Sequence, residues 1–146
     1  MKTLDDIKSS WKEDCLIVNN KIREEIVRTP ILHSKYLDML IECKNEYRIV
    51  EIECIKLHRI LSRYYRGEFT KQELIDLKRD QWQGVKPIKS ELEQLISTDD
   101  LMIELQTKLG HYKICLDSLE SILKTISSRS YDLRALLDAE KFYSGG

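Results

Sequence analysis

Lys56, Arg59, Arg63 and Arg66 are the residues of this sequence whose types and spacing point most directly to chemistry. They recur at steps of three, four and three, with no acidic side chain between residues 56 and 66. On a helix that spacing sets four cations in one line, where neighbouring like charges cost a few tenths of a kcal/mol per pair unless an anion offsets them. A polyanion would do so. His58 adds charge below neutral pH, and Tyr65 lies beside the line, where a ring could stack on a base for ~1–3 kcal/mol. The pattern fits phosphate binding along a nucleic-acid strand. It equally fits a solvated helix face, or a face that docks an acidic protein. Lys124, Arg129, Arg134 and Lys141 form a second, weaker basic group, interleaved with Asp132, Asp138 and Glu140.

The rest of the charge is balanced. Residues 1–55 hold nine basic and eleven acidic side chains, residues 67–146 eleven and fourteen, and the net charge is -1. A dispersed, strongly basic nucleic-acid binder is excluded, whereas a local patch is not.

Catalytic patterns are missing. There is no glycine-rich phosphate loop, no paired histidines at zinc spacing and no nucleophile elbow. His33, His58 and His111 fall on separate stretches, and acidic pairs such as Asp5-Asp6 and Asp99-Asp100 sit where first-turn dipole pairing accounts for them. Cys15, Cys43, Cys54 and Cys115 form no metal-ligand spacing, and read as free thiols of a reducing compartment. No catalytic residue, metal or cofactor is expected. No apolar run approaches the ~20 residues of a membrane span, and no secretory signal opens the chain.

The elements that must position the basic line are helical. Tyr36, Leu40, Cys43, Tyr47, Val50, Cys54, Leu57, Leu61 and Tyr64 alternate steps of four and three, a heptad seam that predicts one helix over 31–66. Thr29 and Pro30 read as its N-cap and first residue. Before it, residues 3–28 form either one helix or two with a turn near 15–19. Gly67 ends the long helix, and Thr70 with Glu73 forms a capping box for a short one. Residues 81–89 read as a linker, and Ser90 with Glu93 repeats the capping pattern. Leu105, Leu109, Tyr112, Leu116, Leu119, Leu123 and Ile126 predict a second long helix over about 98–128. Ser127, Ser128 and Ser130 should break it, with Asp132 capping a last helix; the C-terminal helical region as a whole covers 98–143. The expected fold is all-α, a single helical domain over 1–146 with two long heptad-patterned helices and several short ones. A 36-residue helix is roughly 54 Å long, more than so short a chain covers alone. Each long helix must pack on another, in the same chain or a neighbouring one. Leu40, Tyr47, Val50, Leu57 and Leu61 on the first and Leu109, Leu116, Leu119 and Leu123 on the second are therefore expected to form a bundle or oligomer seam, and the length of the apolar faces argues for self-association.

Several segments, in order, resemble the UvsY-type recombination mediators of T-even-like bacteriophages. Pro30-Ile31-Leu32-His33-Ser34-Lys35-Tyr36-Leu37 is similar to their Pro-x-Leu-His-x-Lys-Tyr-Leu segment. The basic run closing on Tyr64-Tyr65-Arg66-Gly67 resembles their helix end, and Lys89-Ser90-Glu91 matches a linker pattern. Ser121-Ile122-Leu123, Ile126, Ser128-Arg129-Ser130-Tyr131, Lys141-Phe142 and Gly145 resemble their C-terminal region. The resemblance implies a non-enzymatic, all-helical protein assembled into hexamer- or heptamer-like rings in the host cell cytoplasm. It implies single-stranded DNA, a phage RecA-like recombinase and the phage single-strand binding protein as partners. Arg59 matches a DNA-contacting position of the family, while the companion position falls on Leu61 or has moved to Arg63. Ser130 replaces a usual Gly and Glu140 a common Arg, departures that count against a DNA role for the C-terminal basic residues.

Overall fold

The computed structural model describes residues 3–145, and among them only helices and connecting turns occur. The helices are α1 (Leu4–Asp14), α2 (Ile22–Tyr65), α3 (Lys71–Leu77), α4 (Lys89–Ser97) and α5 (Asp100–Tyr143), with a 3-10 turn over Asn19–Lys21 leading into α2. The chain packs as two compact units. One combines Met1–Glu46 with Tyr112–Gly146, and the other is Tyr47–His111.

The first unit is built on α1 and the facing stretches of α2 and α5. Thr3 caps α1: its hydroxyl accepts from the Asp6 N–H, and the Asp6 carboxylate accepts from the Thr3 N–H. The N-terminal region is thus two helices, separated by residues 15–18 and the 3-10 turn. Ile7, Leu32, Tyr36, Met39, Leu119 and Leu133 are buried here, and Trp11 meets the Tyr36 ring edge to face at 5.5 Å. In this unit α2 and α5 run antiparallel. The Cys43 thiol donates to the Tyr112 carbonyl at 3.6 Å, and Arg129 reaches back to Glu25.

Both long helices extend further than the periodicity and the breakers imply. Pro30 does not start a helix but lies inside α2. A proline there removes one ladder bond and costs about 3 kcal/mol. The cost is met because Ile22, Glu25, Thr29, Leu32 and Tyr36 are all buried on one side, while Pro30 itself is exposed. Thr29 is no cap: its hydroxyl donates to the Glu25 carbonyl at 3.0 Å. Likewise Ser127, Ser128 and Ser130 do not break α5, and Asp132 lies within it. Hydroxyls along this helix are absorbed by the carbonyl four residues back, Thr125 on Ser121 and Ser127 on Leu123, both at 3.1 Å. Ile126, Arg129 and Leu133 stay buried across the serine stretch.

The second unit carries the end of α2. Gly67 follows that helix at φ 75, the left-handed value that favours glycine. Thr70 and Glu73 form the expected capping box of α3, which ends on Lys78 in the left-handed region at φ 55. The α4 start lies two residues before the expected Ser90 cap: Ile88 is the N-cap, and its N–H donates to the Glu91 carboxylate at 3.4 Å. Leu61, Tyr64, Tyr65, Leu92, Ile96 and Met102 form this unit's core, with Phe69, Leu74 and Trp82 packed against it.

Candidate nucleic-acid interface

The outward face of α2 is built from one helical register. Val27, Ile31, Ile41, Ile49 and Ile52 are exposed along it. One turn beyond Ile52 the same face becomes basic, with Lys56, Arg59, Arg63 and Arg66 following at steps of three and four. Among the described residues, the side chains of Lys56, Arg59 and Arg66 are exposed and make no ion pair. They are three cations free to meet an anion.

Arg63 differs from its neighbours. Its guanidinium forks onto the Glu73 carboxylate, with the two N–H···O bonds at 2.5 and 2.9 Å, and lies 5.6 Å over the Phe69 ring. The hydrogen bonds from Arg63, with those from Thr70, hold the Glu73 carboxyl at about 2. Arg63 therefore ties α3 to the end of α2, and a phosphate would have to compete with Glu73 for it. The Nε2 atom of His58 sits 3.0 Å from Glu93, both side chains about half exposed.

Tyr65 does not stand on this face. Only 7% of it is accessible, and its hydroxyl donates to Asp99 at 2.7 Å. Arg79 forks onto the same carboxylate at 2.6 and 2.7 Å. Burial pushes the Asp99 carboxyl up, but the Arg79 and Tyr65 hydrogen bonds outweigh it and hold the group below its ordinary value. Burial, then the bond to Asp99, pushes the Tyr65 hydroxyl up to about 12. The ring is edge-on to Trp82 at 4.8 Å, so no face is open to a base. The stacking role expected of Tyr65 is withdrawn. Tyr64, also buried, donates to the Asp80 carbonyl at 2.9 Å.

The second basic group does not hold together either. Lys124 and Arg134 are exposed, but Arg129 is buried and bonded to Glu25. It also donates to the carbonyls of Asp14 and Cys15 at 3.1 and 3.4 Å. Arg28 reaches the carbonyls of Asp14 and Leu16 and the Glu25 carboxylate. The two arginines thus cap the C-terminal end of α1, where cations are favoured, and Arg129 is taken out of any DNA surface. Of the seam positions, Leu40, Val50, Leu61, Leu116 and Leu119 are buried, and Tyr47, Leu57, Leu109 and Leu123 are partly covered.

A feature the sequence did not signal lies beside the basic line. Cys54, Ile55, Ile96 and Met102 wall a cleft of about 440 Å³, with His58 and Glu93 on its lining. The four apolar residues come from three helices, and no local pattern links them. Among the described residues no group of His, Cys, Asp or Glu is placed to hold a metal ion, and no helix is long and apolar enough to cross a membrane.

Comparison with known proteins gives a consistent match. A family model described as the recombination, repair and ssDNA binding protein UvsY matches residues 10–146. The recombination protein uvsY of Enterobacteria phage T4 is 27% identical over 144 residues, covering 97% of this chain and 98% of that protein. Crystal structures of the bacteriophage T4 recombination mediator protein UvsY share the fold. One superposes with a TM-score of 0.86 at 24% identity over 99% of both chains. Another gives 0.82 at 22% identity over 97% and 99%. With a basic helix face suited to anions and a match over nearly its whole length, this chain belongs to the UvsY family of recombination, repair and single-stranded-DNA-binding proteins.

Proposed function

We propose that this chain is a non-enzymatic recombination mediator of an infected host cell's cytoplasm. It holds single-stranded DNA by its phosphates and helps load a RecA-like recombinase onto DNA covered by single-strand binding protein. The observation that carries the reading is the trio Lys56, Arg59 and Arg66, exposed and unpaired on one line of α2. No chemical step is needed, since a mediator requires only different affinities for two states of the strand. The chain works as a homo-oligomer, a ring of six or seven in keeping with the family resemblance. The exposed Val27, Ile31, Ile41, Ile49 and Ile52 support self-association, because a second copy laid on them would remove apolar surface from water while leaving the basic end of α2 clear. A few weak phosphate contacts per subunit, repeated around an assembly, act at high effective concentration. Lys124 and Arg134 remain as secondary contacts.

The test is a salt titration of single-strand binding. Lys56→Ala with Arg59→Ala should weaken binding equally for all sequences and lower the slope of log K against log salt by about 1.4, at ~0.7 for each phosphate no longer neutralised. Arg63→Ala should change it less, because Arg63 must first leave Glu73. A double variant with unaltered slope would sink the assignment. A chain that ignores single strands but binds an acidic protein would favour the adaptor reading.

A further inference from the structure

We infer that the cleft between α2, α4 and α5 in the second unit takes one nucleobase of the strand whose phosphates lie on Lys56 and Arg59. The inference rests on the DNA-binding reading above and adds a base-binding site to it. The cleft's size, about 440 Å³, is within the ~300–1,000 Å³ range of small-ligand sites, enough for a base with its sugar. Its walls are the side chains of Ile55, Ile96, Met102 and Cys54, apolar and partly polarizable surfaces suited to the face of a heterocycle. Polar groups of both kinds converge on it. The Gln106 amide nitrogen is held only by a weak 3.9 Å contact to the Met102 sulfur, and His58 and Glu93 pair at its edge. A side-chain amide offers both a donor and an acceptor, so it adapts to the edge of any base.

Position favours a nucleotide over an apolar side chain of another protein. Ile55 and Arg59 are one turn apart on α2, and a helical side chain covers the turn N-terminal to its own Cα. Arg59 therefore lies beside the cleft, one turn along α2 from its Ile55 wall and outside its lining. A phosphate bound there would bring its base within reach of the cleft, whereas an apolar partner would have to bury the charges around the mouth. The cleft then supplies the stacking surface that buried Tyr65 cannot.

The experiment compares a short oligothymidylate with an abasic strand of equal length, each titrated against the full chain at low salt. Thymidylate should bind about tenfold tighter, because only it carries a base whose apolar face the cleft removes from water. Ser97→Leu, which narrows the cleft from an exposed position, should erase that preference and leave abasic-strand affinity and the helical circular dichroism unchanged. Arg59→Ala should weaken both strands alike. Equal wild-type affinities with salt-sensitive binding would overturn the cleft and spare the phosphate reading; binding of neither strand would overturn both. A Ser97→Leu chain that keeps the preference would refute the site. A Ser97→Leu chain that sediments differently without DNA would refute it too, by showing a second copy in the cleft.

Discussion

Replacing Arg129 by Met separates a structural arginine from a DNA contact. Arg129 is 5% accessible and serves three acceptors: the carbonyls of Asp14 and Cys15 and the Glu25 carboxylate. Breaking a buried pair by removing one partner costs about 3–5 kcal/mol where the other is left uncompensated. Here Glu25 keeps Arg28 at 3.2 Å, and Arg28 keeps the Asp14 carbonyl at 2.9 Å. Asp14 itself stays bound to Lys35 and Tyr36 at 2.6 and 2.8 Å, so α1 loosens without leaving. The Arg129 Nε has no partner, and its removal returns part of the loss. These considerations put the cost at about 2–3 kcal/mol, below that of an uncompensated pair. With a urea slope of ~2 kcal/mol/M, the unfolding midpoint should fall by roughly 1–1.5 M. The assay is urea unfolding followed by circular dichroism at fixed protein concentration, with single-strand binding measured alongside. A midpoint unmoved beside the wild type, or a reduced salt dependence of DNA binding, would refute the structural reading of Arg129.

Acid should weaken the second unit in a defined window. The Glu73 carboxyl is held at about 2 against an ordinary 4.5, so its contribution is fully present above pH 4.5 and is lost as pH falls toward 2. The thermal midpoint should decline through that interval, and Glu73→Gln should lower it at neutral pH and flatten the decline. Tyr65→Phe removes one hydrogen bond to the buried Asp99 while Arg79 stays. It should cost ~1.5–3 kcal/mol, as for a bond to a charged group, with unchanged DNA affinity. Thermal unfolding and strand titration on one preparation check both halves.

The sequence carried the periodic information well. The seam through Tyr36, Leu40, Cys43 and Val50 marked a buried helical side, Gly67 marked its end, and Thr70 with Glu73 marked the next start. Local breakers misled. Pro30 and the serines near 128 are judged by propensity, yet burial of Leu32 and Tyr36 on one helix and of Ile126 and Leu133 on the other outweighs it. At the site, spacing identified the line of cations but not which of them is engaged. Glu73 lies ten residues from Arg63, and Glu25 more than a hundred from Arg129, so neither pairing leaves a local trace. Tyr65 follows the same logic. Its neighbour Tyr64 sits on the seam and Tyr65 does not, but Asp99 and Trp82 return from later in the chain to cover it.

The clasp on α1 sets an order of events during synthesis. Helix α1 finds Arg28 and Lys35 early, but its third cation, Arg129, is 115 residues downstream of Asp14. Pairings of such separation form late, once the intervening loop has closed. Until then α1 rests on α2 alone, through Trp11 on Tyr36 and Asp14 on Lys35 and Tyr36. A nascent chain halted before Arg129 emerges should therefore hold α1 more loosely, and be cut there faster by protease, than one released just past it.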